Sequence, residues 1–147
     1  MTRNGVHVMS QGTAQLRTLL DGQPKPVCAA LTPFTLVEAD LDAGFVRLEF
    51  EPQPAFRNHF GNIQGGFAVA MLDAVVSIAA YAKLRQWLPT IEIKTSFLEP
   101  IPIGPCIAEG RVIKSGRSLA FIEGRLLTAN RPAVTATATA LVPSQKP

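Results

Sequence analysis

At 147 residues the chain suits a single domain with a core of its own, and with 47% hydrophobic and 17% charged residues it is no disordered polymer. Its net charge of +3 is mild, and its Lys and Arg residues are scattered rather than gathered into the aromatic-interleaved stripe that nucleic-acid binding needs, so nucleic acid is excluded as a partner. The balance suits an anionic small molecule better.

In chain order, residues 1–30 read as an accessory arm, with a short helix over Ala14–Leu20 and a connector through Pro24 and Pro26. Residues 31–147 read as one domain. Thr35–Ala39 and Phe45–Phe50 flank the turn-forming Asp42-Ala43-Gly44 and predict a hairpin. In its second run Val46, Leu48 and Phe50 alternate with Arg47 and Glu49, the period of a half-buried strand. Pro52 and Pro54 close the hairpin, and the loop Ala55–Gln64 leads to a helix predicted from Gly65 to about Trp87, with Pro89 beyond it. From Gly65 to Ala82 every residue except Asp73 and Ser77 is apolar or small, a run of 18 residues at the lower edge of the length that spans a bilayer. A carboxylate at the centre of a span would cost about 2.5–3.5 kcal/mol, so the segment is read as a buried core helix with no membrane partner. Being apolar nearly all round, it needs a sheet wrapped over it.

The second half supplies one. In Ile91–Leu98 the apolar Ile91, Ile93 and Phe97 alternate with Glu92, Lys94 and Ser96, and Ile101–Gly104 makes a turn. Cys106–Lys114 and Leu119–Thr128 are strands joined through Ser115-Gly116-Arg117. Asn130-Arg131-Pro132 turns the chain into Val134–Leu141, where threonines take one face and small apolar residues the other. The order ββ, helix, ββββ predicts an α+β fold, a curled antiparallel sheet around one central helix. Cys28 and Cys106 form no CxxC pair and read as buried thiols in a reducing compartment. With no signal-sequence pattern at the N-terminus, the expected location is cytoplasmic. Two histidines, His7 and His59, are too few for a His-rich metal site, and no metal is expected.

Gly65 and Gly66 open the predicted helix, where the first backbone N–H groups have no internal partner. With no side chain in the way, a ligand oxygen can approach these donors, and the helix dipole favours negative charge there. Such donors can hold the oxyanion of an acyl-transfer intermediate, although paired glycines also serve close packing alone. Asp73 lies eight residues on, about 12 Å along the axis, so one small reacting group cannot touch Gly65 and Asp73 of the same chain. Two antiparallel helices across a two-fold axis would bring the entrance of one against Asp73 of the other. Ser77 is one turn beyond Asp73 on the same face and can orient the carboxylate or a water. The positions three and four away from Asp73 hold no basic residue, so an ion pair along the helix is unavailable to it. No GxSxG elbow and no phosphate-cradling glycine motif occurs.

The pattern Asn58-x-x-Gly61-x-x-Gln64-Gly65-Gly66-x6-Asp73 resembles the signature of the PaaI-like hotdog-fold acyl-CoA thioesterases, N-x-x-G-x-x-H-G-G followed by Asp in the helix. Ser77, "TIEIKTSFLEPIPIG" and "GRSLAFIEGRL" continue the likeness, which covers about residues 30 to 142. The departure is Gln64, where the best-known members carry His; Gln can bond and position but cannot titrate near neutrality. The resemblance implies a hotdog fold, homodimers with paired helices, and dimers of dimers. It implies hydrolysis of a small or medium acyl-CoA, with or without an aromatic ring, to free acid and CoA. Asp73 would be general base or nucleophile, and the Gly65 amide of the other subunit would polarise the carbonyl, with Gly66 beside it. Asn58 would position the reacting group or water, with Gln64 and Ser77 supporting. Lys114 and Arg117 are candidates for the CoA phosphates. No metal or redox cofactor is implied; CoA enters only as part of the substrate. Two other functions share the fold: a non-catalytic acyl-CoA binder or sensor, which Gln64 leaves open, and a hydroxyacyl-thioester dehydratase, for which His59 would have to replace the missing His.

Overall fold

The computed structural model describes residues 9–144, so His7 lies outside the described residues. Helix α1 spans Gln11–Asp21 and strand β1 Phe34–Asp40, followed by β2 Phe45–Phe50. The long helix α2 covers Gly65–Leu84, and β3 Thr90–Phe97, β4 Cys106–Ser115, β5 Leu119–Thr128 and β6 Arg131–Leu141 complete the chain. The six strands make one sheet in the order β1-β2-β4-β5-β6-β3, with every pairing antiparallel. This is the predicted α+β arrangement, a curled sheet around one central helix.

The alternation along the strands places the core. Val46, Leu48 and Phe50 of β2, Ala108 and Val112 of β4, Ile122 and Leu126 of β5 and the alanines of β6 all turn inward and are buried. Against them α2 buries Met71, Leu72, Val75, Val76 and Ala79. Two glycines set how close the helix comes. A Cβ on Gly110 would stand 2.6 Å from the Val75 carbonyl oxygen, and one on Gly124 would stand 2.9 Å from Val76 Cγ1. Gly110 and Gly124 are paired across β4 and β5, so one strip of the sheet is bare where the helix crosses it.

The two edges of the sheet differ. Along β1 lies α1, whose Leu16 is fully buried. Thr13 Oγ1 accepts the Ala39 N–H at 3.0 Å, and Arg17 Nη2 donates to the Leu36 carbonyl at 3.3 Å. At the opposite edge β3 bonds only to β6 among the described residues, and Ile91 is 58% exposed.

Beyond one-residue shifts at the ends of β1, β3 and β4, four expectations about the fold change. The helix α1 runs three residues further at its start and one at its end, because Ser10 accepts from the Thr13 N–H as its N-cap. Helix α2 stops at Leu84, not near Trp87: Arg85 adopts the left-handed conformation (φ 58°) that terminates helices, and Trp87 folds back to stack on Tyr81 at 4.4 Å. The last turn is Ala129-Asn130, both with positive φ, so β6 starts at Arg131 rather than Val134. Cys106 is buried as expected, but Cys28 is exposed, on a short 3-10 turn, Val27–Leu31, that buries none of its residues.

Candidate active site

The loop before α2 is built to present the start of the helix. Arg57 bridges to Ile63, Asn62 bridges to Pro102, and the Gln64 N–H donates to the Phe56 carbonyl at 2.8 Å. Phe67, in the first turn, stacks on buried Phe56 with ring centroids 4.0 Å apart. Gln64 is the N-cap residue, exposed, and its side chain makes no capping bond. Among the described residues, the amides of Gly65 and Gly66 donate to no backbone carbonyl. These donors are therefore open to a ligand, at the positive end of a helix of 20 residues.

Asn58 stands beside them with a defined orientation. Its Oδ1 accepts the N–H groups of Phe60 (2.9 Å) and Asn62 (3.1 Å), which folds the loop tightly. With the oxygen so occupied, the amide can offer a ligand only its NH2 edge. Asn58 and Gly65 share a cleft of about 580 Å³, whose other walls include Phe60, Ile63, Ala68, Phe97 and Ile101. Of the sequence-predicted donors, Asn58 and Gly65 are thus brought together, while Gly66 and Gln64 do not line the cleft.

Asp73 is not in that cleft. It lies on the stripe of α2 that the sheet leaves uncovered, with Gly66 and Ala70 exposed and Asp73 and Ser77 half-buried. The expectation of a carboxylate enclosed in an apolar helix is corrected for the single chain: the sheet covers the opposite side of α2. Nor is Asp73 without a partner, because the Thr90 hydroxyl donates to its Oδ1 at 3.0 Å. Thr90 opens β3, and nothing in the sequence signalled it, since the contact joins residues far apart in the chain. Lys114 and Arg117 are exposed at the β4–β5 turn, outside the cleft. His59 is exposed at the loop tip, packed on Phe60, and does not line the cleft.

A second depression, of about 590 Å³, lies on the outer face of the sheet. Its centre is Glu109, which sequence reading did not single out. Arg47 Nη2 donates to its Oε1 and Arg125 Nε to its Oε2, both at 2.6 Å. Burial, the largest single influence, would raise this carboxyl, but the hydrogen bonds and charges of the two arginines together outweigh it and hold it below the usual carboxylate range. Both its oxygens are already bonded and, among the described residues, no helix N-terminus lines the depression, so the first cleft is the better candidate for acyl chemistry. Cys106, buried against Met71, has its thiol pushed up to about 11, by burial first and the charge of Glu49 second, and is inert at neutral pH.

Residues 60–135 match the sequence pattern of the Thioesterase superfamily. A solved structure from Ralstonia eutropha JMP134, a phenylacetic acid degradation-related protein provisionally assigned as a thioesterase, is 30% identical. It superposes with a TM-score of 0.78, covering 86% of this chain and 97% of that one. The chain belongs to the PaaI-like hotdog family of thioesterases. A thioesterase family protein from Silicibacter pomeroyi superposes on this hotdog domain at 25% identity and a TM-score of 0.72, over 88% of this chain and 96% of that one. A provisionally assigned esterase of Saccharolobus solfataricus is 31% identical over 85 residues, 56% of each chain, so the hotdog chain spans little over half of that curated relative's length.

Proposed function

We propose that this protein is an acyl-CoA thioesterase whose two sites are each built from two copies of the chain. The observation that carries the reading is the division of labour along α2. Open amide donors and the Asn58 NH2 group stand at the helix start, and the Asp73–Thr90 pair lies about 12 Å further along, on the face the sheet leaves bare. A second, antiparallel copy packed on that face through the open β3 edge supplies each end with its complement, and dimers can pair further into tetramers.

In such a site the thioester carbonyl oxygen sits on the Gly65 N–H, with the Gly66 amide and the Asn58 NH2 group beside it. Asp73 of the other copy, steered by the Thr90 hydroxyl with Ser77 one turn on, takes a proton from water. The resulting hydroxide forms the new C–O bond, and the carbonyl π electrons become the oxyanion held by the amides. Collapse breaks the C–S bond, and CoA thiolate leaves with the proton from Asp73. The alternative for Asp73, direct attack to give an acyl anhydride, is separated from this path by single turnover in labelled water. Under water attack, label enters the acid alone; under anhydride formation with water opening the anhydride at the Asp73 carboxyl, the first turnover leaves the label in Asp73 and releases unlabelled acid. Gln64, exposed and uncapped, is assigned a contact with the bound substrate rather than proton transfer. Lys114 and Arg117 are assigned to the CoA phosphates, no metal or redox cofactor takes part, and the expected location is the cytoplasm. Residues 1–30 are assigned no chemistry, and residues 31–147 carry the reaction.

The test is a panel of small and medium acyl-CoA esters, with and without a ring, followed by a thiol-reactive dye on wild type and Asp73→Ala. Turnover lost in Asp73→Ala supports the reading. Turnover that survives the substitution rejects the assigned site, and tight acyl-CoA binding without turnover identifies a binder instead.

A further inference from the structure

The chemistry above does not use the side chain that touches its principal donor. The Phe97 ring rests on Gly65: a Cβ there would stand 3.1 Å from the ring Cζ and 3.2 Å from Cε1. The tip of the ring thus covers one side of the first turn of α2 at Gly65, and both residues line the cleft. Phe97 closes β3 by pairing with Val134. Immediately after it, the Leu98 and Glu99 N–H groups both donate to the Ala133 carbonyl, at 2.8 and 3.0 Å, and the chain turns so that both also line the cleft.

Despite this anchoring the ring is 55% exposed, so a large apolar surface stands open against the cleft. The loop tip opposite carries Phe60, 77% exposed, and Asn58 holds its backbone N–H in place. Ile63, Ala68 and Ile101 add further apolar lining. The acidic lining group, Glu99, pairs with Arg131 at 3.2 Å and gives an anionic acyl terminus no cation of its own.

We infer that Phe97 is the specificity-determining residue of the acyl subsite, its ring packing against the first carbons of the acyl chain while the carbonyl oxygen occupies the Gly65 amide. The location of that carbonyl rests on the thioesterase reading. The acyl groups selected are uncharged, apolar and longer than acetyl, because an acetyl group offers the ring almost no surface. Phe97 adds no proton transfer or charge; it acts on which acyl group binds.

The experiment measures equilibrium binding of CoA, acetyl-CoA and hexanoyl-CoA to the full-length Asp73→Asn protein, with and without Phe97→Ala. Turnover of both esters is followed in parallel with Asp73 intact. Phe97→Ala is expected to weaken hexanoyl-CoA about tenfold relative to acetyl-CoA and to leave CoA unchanged. In turnover the loss should fall on KM for hexanoyl-CoA with kcat held, and Phe97→Leu should restore much of it. Equal weakening of both esters would reduce the ring to a prop for the helix start and overturn the inference. So would unchanged discrimination, tighter hexanoyl-CoA binding in Phe97→Ala, or no preference for hexanoyl-CoA over CoA while Phe97 is present. A protein that shows the binding preference but no turnover in any form contradicts hydrolysis, while the binding arm still decides the role of Phe97.

Discussion

The two edges of the sheet are finished in opposite ways. At β1 the chain spends a helix on closure: α1 buries Leu16, gives the Ala39 N–H an acceptor in Thr13 Oγ1, and satisfies the Leu36 carbonyl with Arg17. Gly12 lets that helix lie against the strand, since a Cβ there would stand 2.7 Å from the Ala39 carbonyl oxygen. At β3 no backbone bond reaches the outer edge among the described residues, and apolar side chains at and just beyond its end, Phe97 and Leu98, stand open with Ile91. An open edge with apolar side chains is a template for pairing with another chain. Closing one edge and leaving the other open leaves a single side free for the proposed association, the side on which Thr90 meets Asp73.

Breaking the open edge should have the largest effect. Ile91→Glu would set two like charges near each other at the proposed junction, while Ile91 contributes little to the core of a single chain. Sedimentation should then show monomers that still fold, with acyl-CoA turnover down about 10²–10⁴-fold, the size of a lost general base. A monomer of full activity would contradict the shared site. Breaking the closed edge should act on stability instead. Leu16→Ala is expected to cost about 2–5 kcal/mol in denaturant unfolding. Thr13→Val, which leaves the Ala39 N–H buried and unpaired, should cost about 1–3 kcal/mol, with the proposed dimer retained in both.

A third region serves as the control, because the sheet's centre belongs to neither edge. Gly110→Ala drives a methyl against the Val75 carbonyl and should lower stability by about 1–3 kcal/mol without changing oligomeric state. The smallest effect expected is that of Glu109. Its carboxyl is held below the ordinary value, so its contribution to stability is present above the unfolded pKa and fades as pH falls through the lower folded one. Glu109→Gln should flatten the acid limb of the stability–pH curve, which unfolding at stepped pH values would reveal.

Where the pattern is local, the sequence was readable. The hairpin around Asp42-Ala43-Gly44, the start of α2 at Gly65 and the alanine face of β6 follow from turn chemistry and period alone. Gly65 could be picked out from its place at the helix entrance, and Asn58 only from the resemblance to the family signature. What stayed hidden depends on contacts between distant segments. Thr90 reaches Asp73 only because β3 lies beside α2, and the Arg47–Glu109–Arg125 set exists only through the register of β2, β4 and β5. The early end of α2 turns on Arg85 taking a left-handed conformation that glycine more often supplies. The exposure of Ile91 and Phe97 was equally out of reach, since alternation marks a strand but not whether it sits at an edge.

The central claim is that each site draws its donors from one copy and its carboxylate from the other, and mixing inactive variants tests it directly. Asn58→Asp keeps the oxygen that accepts the Phe60 and Asn62 N–H groups but removes the NH2 donor. Asp73→Ala removes the base. Unfolded together and refolded as an equal mixture, the two should recover about a quarter of wild-type activity, because half of the two-fold dimers are hybrids and each hybrid holds one intact site. A mixture no more active than its separate components would contradict the account.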